Sequence, residues 1–517
     1  GSTKVGVAQV NVLDKAIHMA VEDLFRATSY IIDNAEQLSV DPDNIVISGS
    51  SAGAISVMQA EYEICNRTAW AQVLPEDFNY AGVMSFAGAI LSRKGEVKYA
   101  ETPAPTLMLH GTSDALVNYR QIKFFNLGFF GGGKLVKRFE KFGYNYNMYH
   151  FLGYGHDYKG CLADYIKVGG RVPMPPKYIF GYSYSRYWAY SQSDFQRIIR
   201  DAESHDVPMD VLIMDMDWHK SGWTGWSWNK SLIPSPKSLI TYMHNHGVKT
   251  ALNLHPADGV GRHEDYYVAM KKDLGYDASY TDDIPWKIED YDFYKALFKN
   301  IISKHEETGV DFWWIDWQQY LTAKDVPGLG ETFWCNHVFF EDMRRNRPHL
   351  RPVIYHRWGG LGSHRYPICF SGDTWASWSM LGYEIFFTSN ASNVCYDYWG
   401  HDLGGHQGGD NDPELLQRWL QFGVYTPIFR THATNDPKLE RRIWKYGNFE
   451  QLRETVRQRY RIFPYLYTAA RETYETGVGM NRPLYYDWPE ENNAYKFEDE
   501  YMFGNDMLVA PIYTPAD

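Results

Sequence analysis

The pattern of apolar and polar positions changes character near residue 160, and the two parts of the chain predict different architectures. In the first part, Ile17, Val21, Leu24, Ile31, Ala35 and Leu38 recur at the three-to-four spacing of one helix face, which predicts a helix over residues 16–38. Asp41-Pro42-Asp43 then turns the chain into a short apolar strand at 45–47. Further buried strands are predicted at 82–86, 106–109 and 148–151. Helices and connections separate them, so this part reads as an α/β sheet of mostly parallel strands.

After Pro173-Met174-Pro175-Pro176 a longer series begins. Strands are predicted at 178–182, 211–216, 249–254, 311–315, 352–355, 367–370, 393–398 and 427–431, and polar or charged residues follow most of them directly. Eight parallel strands with chemistry at their C-terminal ends are the signature of a (β/α)8 TIM barrel. The expected organisation is a partial α/β sheet over 1–156, a barrel over 157–476, and the start of a β domain over 477–517.

Composition narrows the function classes. A hydrophobic fraction of 44% and a charged fraction of 22% are those of a soluble globular protein. No apolar run reaches the ~18 residues of a membrane span, so no membrane partner is expected. A net charge of −12 argues against nucleic acid, whose phosphates reward Lys/Arg clusters. The opening Gly-Ser-Thr-Lys carries no secretory signal pattern, which leaves cytoplasm and periplasm both open. Cys65, Cys161, Cys335, Cys369 and Cys395 are scattered, with no Cys-x-x-Cys pair, and are expected to be buried free thiols. Of the 18 Trp only Trp70 precedes residue 188. That step marks a change of domain, and aromatic-rich clefts suit sugars, whose C–H faces stack on rings.

Candidate chemistry sits at the predicted strand ends. Asp316 ends the run Phe312-Trp313-Trp314-Ile315-Asp316, and Asp373 follows Phe370 in Ser371-Gly372-Asp373-Thr374-Trp375. Asp215 and Asp217 lie in Asp215-Met216-Asp217-Trp218, Asp402 and His406 in Gly400-His401-Asp402-Leu403-Gly404-Gly405-His406, while Arg357 and His432 end strands of their own. One Asp at a strand end is as readily a helix cap. Four acids, an Arg and a His at successive ends are the making of a pocket, and glycoside hydrolysis needs two carboxyl groups flanking the scissile bond.

Trp314-Ile315-Asp316, Gly372-Asp373-Thr374-Trp375, Arg357 sixteen positions before Asp373, Asp215 opening an Asp-x-Asp motif, Asp402 in His-Asp-Leu-Gly-Gly, and His432 in Phe-Arg-Thr-His together resemble glycoside hydrolase family 31 over residues 157–517. The resemblance implies a retaining α-glycosidase, foremost an α-glucosidase acting on oligosaccharides. Asp316 would be the nucleophile and Asp373 the general acid/base, with carboxyl groups ~5–5.5 Å apart. Asp215, Trp314, Arg357, Phe370, Asp402, His406 and His432 would bind substrate, and no metal or organic cofactor is required. Two departures leave α-xyloside and α-galactoside open, as well as sugar binding without catalysis. Trp317-Gln318-Gln319 stands where the family usually has Met-Asn-Glu, and Ser183 where many members have Trp.

The first part carries a second motif. Gly49-Ser50-Ser51-Ala52-Gly53 after the strand at 45–47 reads as Gly-x-Ser-x-Gly, and Ser51, Asp114 and His156 follow in the order of an α/β-hydrolase triad. This resembles the C-terminal half of an esterase-like α/β-hydrolase, fused to the barrel at a short shared sequence, Gly153 to Lys159. A carbohydrate esterase is therefore the alternative activity. Only 50 residues precede Ser51. The loop that supplies the second oxyanion donor is missing from them, so weak ester hydrolysis is expected. The strands missing on the same side would leave a sheet edge open to self-association.

Overall fold

The computed structural model describes residues 7–114, 116–151, 156–316, 323, 325–357, 361–409 and 411–516 and divides into two units, Gly1–Gly155 and His156–Asp517. In the first unit, four parallel strands lie in chain order: β1 (Val46–Ser50), β2 (Gly82–Phe86), β3 (Thr106–Gly111) and β4 (Tyr146–Phe151). The long helix α1 (Val7–Asp33) buries Ile17, Val21 and Phe25, and α2 (Ala52–Cys65) follows β1 directly. Asn34 separates α1 from a further short turn of helix, Ala35–Leu38, where one helix over 16–38 was expected. A small antiparallel sheet, Ala89–Ser92, Leu127–Gly131 and Gln121–Phe124, is an addition that the strand pattern did not reveal. β1 is an edge of the parallel sheet, and Val46 on it is exposed.

The second unit is a closed barrel of eight parallel strands. They are β5 (Tyr182–Tyr184), β6 (Val211–Leu212), β7 (Ala251–Leu254), β8 (Phe312–Ile315), β9 (Ile354–His356), β10 (Cys369–Phe370), β11 (Trp399–Gly400) and β12 (Phe429–Thr431). Bridges from Val211 to Lys249 and from Met214 to Leu252 join β6 to β7, while Leu403 to Thr431 and the β12–β5 ladder complete the ring. Helices cover the outside in the expected way. In Gln192–Ser204 the buried face is Phe195, Ile198, Ile199 and Ala202, and a Ser191/Asp194 capping box closes its N-terminus.

Two strand positions need correction. Residues 177–180, which overlap the expected first strand at 178–182, form a 3-10 turn, and the strand begins at Tyr182. Residues 392–394 do the same before β11. Both segments are too short for period to separate strand from turn. After the helix Phe463–Thr476, Asn481–Pro483, Tyr501–Phe503 and Met507–Val509 make an antiparallel three-stranded sheet. All five cysteines are free, but Cys161 is exposed rather than buried. Among the described residues no helix is long and apolar enough to cross a membrane.

Candidate active site

Alternation along β8 decides what reaches the barrel interior. Trp313 points outward to His305 and Phe339, whereas Trp314 meets Phe370, Tyr355 and His432 inside. A period of two then carries Asp316 to the inner side above Trp314. Its neighbours arrive by the same rule, Asn253 and His255 from β7 and its end, Arg357 from the end of β9.

Asp316 is 5% exposed. Its Oδ1 accepts from Arg357 Nε at 2.5 Å and its Oδ2 from Asn253 Nδ2 at 3.0 Å, with His255 Nε2 at 3.5 Å. Burial alone would raise its pKa, but the His255 and Arg357 contacts override this and hold the carboxyl well below the usual range. Asp316 is thus kept ionised. Arg357 also donates from Nη2 to Asp373 Oδ1 at 2.7 Å, so a single guanidinium spans both carboxylates. Asp373 is the more open of the two, its side chain 40% exposed against 7% for Asp316.

A second group of charges lies beside this pair. Arg430 on β12 forms a short ion pair with Asp402 Oδ1 and donates to Ser185 Oγ at 3.0 Å. The Arg430 guanidinium is boxed by Trp314, Tyr355 and Phe370, with ring centroids 4.8, 4.6 and 4.9 Å away. These three rings form an aromatic layer under the charges, and Trp314 and Phe370 are each 1% exposed. Asp402 Oδ2 is 3.1 Å from His406 Nδ1, which in turn is 4.0 Å from Asp373 Oδ1 and so links the two groups. Burial works against ionised Asp402, yet the charge of Arg430 and the hydrogen bond from His406 hold its pKa low. His406 is raised, because its hydrogen bond to Asp402 outweighs desolvation.

His432 Nδ1 meets Ser185 Oγ at 2.8 Å, and its Nε2 lies 3.6 Å from Asp215 Oδ2. Burial keeps His432 neutral, its pKa well below the ordinary value. Asp215 is the opposite case among the acids. Burial pushes it up to about 7, partly offset by the Met216 amide at 2.7 Å and reinforced by the charge of Asp316. Ligand atoms of Asp402, His406 and His432 lie within 4.8 Å of one another, close enough to hold a metal ion. Arg430 already neutralises Asp402 there, which weakens the set as a cation site.

A barrel with two carboxylates at the ends of β8 and β10, bridged by an arginine from the end of β9 between them, narrows the field, and comparison with known proteins decides the family. The model of the glycosyl hydrolases family 31 TIM-barrel domain matches residues 172–469, and that of the family's C-terminal domain matches 477–517. The chain belongs to glycosyl hydrolase family 31. Among curated family 31 relatives, an alpha-xylosidase of Saccharolobus solfataricus is 27% identical over 398 residues, 71% of this chain and 52% of the relative. Alpha-glucosidase 2 of Bacillus thermoamyloliquefaciens is 26% identical, with 69% and 49% covered. This chain spans about half the length of those relatives. The fold is shared with a family 31 alpha-xylosidase from a soil metagenome, solved with xylose (TM-score 0.61, 23% identity, 70% of this chain and 60% of that one). It is shared also with a Flavobacterium johnsoniae dextranase solved with glucose (0.61, 24%, 76% and 50%).

The family 31 barrel brings Asp215, Asp316, Arg357, Asp373, Asp402, His406 and His432 into one cluster. Trp317, Gln318 and Gln319 lie outside the described residues. Sequence reasoning passed over Asn253, His255, Ser185 and Arg430. The signal was present for two of them, since Arg430 stands two residues before His432 and Asn253 two before His255, on the same strand faces. The esterase residues are not gathered in the first unit. Asp114 Oδ1 accepts the amides of Leu116 and Val117, and the imidazole near its Oδ2 is His110, at 3.7 Å. His156 belongs to the second unit, where its Nδ1 meets Glu490 at 2.6 Å.

Proposed function

We propose that the second unit is a retaining α-glycosidase that removes terminal α-linked sugars from oligosaccharides, with glucose the foremost glycone. The observation that carries this is the bridging of Asp316 and Asp373 by Arg357 at the mouth of a family 31 barrel. A retaining reaction needs its two carboxyl groups ~5–5.5 Å apart, and one guanidinium bonded to both supports a close pair. Asp316, held ionised, attacks the anomeric carbon while Asp373 delivers a proton to the leaving oxygen. Water then attacks the glycosyl–Asp316 ester with Asp373 taking its proton. Asp402, His406, His432 and Asp215 offer hydrogen bonds to the hydroxyls of the bound sugar. They lie on the closed side of the site, which favours cleavage from a chain end.

The test is a hydrolysis screen of aryl α-glucoside, α-xyloside and α-galactoside, with the anomer of the first product followed by NMR and D316A as control. A β-anomer as first product overturns the retaining mechanism. Sugar binding with no turnover of any of the three leaves a carbohydrate-binding protein.

A second reading is favoured by the backbone at Ser51. This residue has φ 53° and ψ −116° in the turn between β1 and α2, a strained geometry that lifts a side chain off a strand end. A Cβ on Gly49 would come within 2.3 Å of the Gly53 carbonyl, so the strand and helix meet too closely for any larger residue. These features support an α/β-hydrolase nucleophile turn in the first unit. His110 is engaged by the Val117 carbonyl at 2.8 Å and His156 by Glu490, which favours weak ester hydrolysis at most. Aryl acetate turnover by the whole chain and by S51A tests this.

A further inference from the structure

Resting on the α-glycosidase reading, we infer that the Trp375 indole, beside the Gln407 amide, is the platform for the leaving-group sugar, which makes saccharides extended on that side the preferred substrates. Trp375 is 56% exposed, unlike the buried Trp314 and Trp419 of the barrel. A single exposed aromatic is ordinary on a protein surface. Three observations set this one apart.

The first is its place. Trp375 lies two residues after Asp373, the group that protonates the oxygen of the departing sugar. Exposed side chains on that turn therefore line the leaving-group side, while the deep cluster of Asp215, Asp402 and His432 lines the other. The second is its rigidity. Residues 374–376 are tied to 406–407 by the amides of His406 and Gln407 on the Thr374 carbonyl, at 2.8 and 3.1 Å, and by the Ala376 amide on the Gln407 carbonyl at 2.9 Å. A platform held this way loses little freedom when a sugar stacks on it.

The third is how the facing loop is shaped around the ring. Gly408 and Gly409 have φ of 61° and 68°. A Cβ on Gly408 would fall 1.8 Å from Trp375 Cζ3, and one on Gly409 would fall 2.0 Å from the Ala376 carbonyl oxygen. The backbone thus lies against one side of the indole, and the exposure is carried by the rest of the ring. Gln407, whose backbone pairs with that of Trp375 and whose Nε2 donates to the Asp373 carbonyl oxygen at 3.4 Å, sets a side-chain amide beside the acid/base residue, where it can meet a sugar hydroxyl. An apolar face beside an amide is the pairing that a pyranose ring presents in reverse.

The experiment compares the whole chain with W375A and W375F on two substrates sharing one glycone. These are the α-glycosyl fluoride, whose leaving group has no ring, and the matching α-linked trisaccharide. W375A should lower kcat/KM for the trisaccharide about tenfold more than for the fluoride, the effect of ~50 Å² of apolar contact. W375F, which keeps a ring, should recover most of that difference. Equal losses on the two substrates, or no loss on the trisaccharide, overturn the platform while leaving the glycosidase reading intact. If the wild-type chain turns over neither substrate, the glycosidase reading fails and the platform with it.

Discussion

Asp215→Asn separates what the fold wants at this position from what the chemistry wants. Asp215 is 8% exposed, and its carboxyl is pushed from an ordinary 3.8 to about 7. Below pH ~4 the group is protonated in folded and unfolded chains alike, and burial costs no proton. Between pH ~4 and ~7 the folded chain keeps a proton that the unfolded chain has released, so stability falls as pH rises through this window. Above pH ~7 the full penalty is present, about 4 kcal/mol at about 1.4 kcal/mol per tenfold change in proton affinity. Asparagine has no such penalty, and its side-chain oxygen can still accept the Met216 amide. The variant should therefore melt higher than wild type at pH 8. For a unit of this size, with ~2 cal/mol/K of unfolding entropy per residue, the gain is about 5 °C. It should shrink towards zero by pH 4. The same change removes a charged acceptor from the sugar site, which should lower kcat/KM about 10- to 100-fold. Scanning fluorimetry from pH 4 to 8 at one scan rate reads the first effect. A variant no more stable at pH 8, or equally favoured at pH 4, would refute burial as the cause of the raised pKa.

Other outcomes follow from the same contacts. D316A should abolish turnover of every glycoside, whereas D373A should still form the glycosyl-enzyme from glycosyl fluorides, which need little protonation on departure; burst kinetics with the fluoride check this. R430M should strand the buried Asp402 charge and destabilise the barrel by about 3–5 kcal/mol. R430M/D402N should restore much of the melting temperature, and failure to do so would place the loss in the aromatic box instead. In the first unit, S51A should leave a weak aryl acetate turnover nearly unchanged, because loss of oxyanion donors alone costs ~10²–10³ in rate. Robust turnover that vanishes in S51A would make the protein bifunctional.

The barrel was legible because its strands are apolar runs with a charge at the end, and period two along Trp314 and Asp316 even gives the inward face. Strand boundaries were less so. Residues 178–182 and 393–398 are rich in the aromatic and β-branched residues that strands favour, yet parts of both form 3-10 turns, since runs this short carry no period to decide between them. The first unit was read as parallel from its spacing, but its antiparallel sheet was missed because Leu127–Gly131 is too short and Gly-rich to alternate clearly.

What no reading along the chain reveals is which charges meet across it. Arg430 looks like one more basic residue in Phe-Arg-Thr-His, and its neighbour His432 attracts the attention. In three dimensions Arg430 sits under Asp402, between three rings contributed by β8, β9 and β10. It is the counter-charge that lets Asp402 stay ionised in the floor of the pocket. Arg357 does the corresponding work for Asp316 one layer nearer the mouth, where it also reaches Asp373. The two arginines differ in what they join. Arg430 is sealed at 1% exposure against the single carboxylate of Asp402, whereas Arg357 reaches both Asp316 and the more open Asp373. Arg430 therefore serves the buried scaffold, and Arg357 couples the two carboxylates above it.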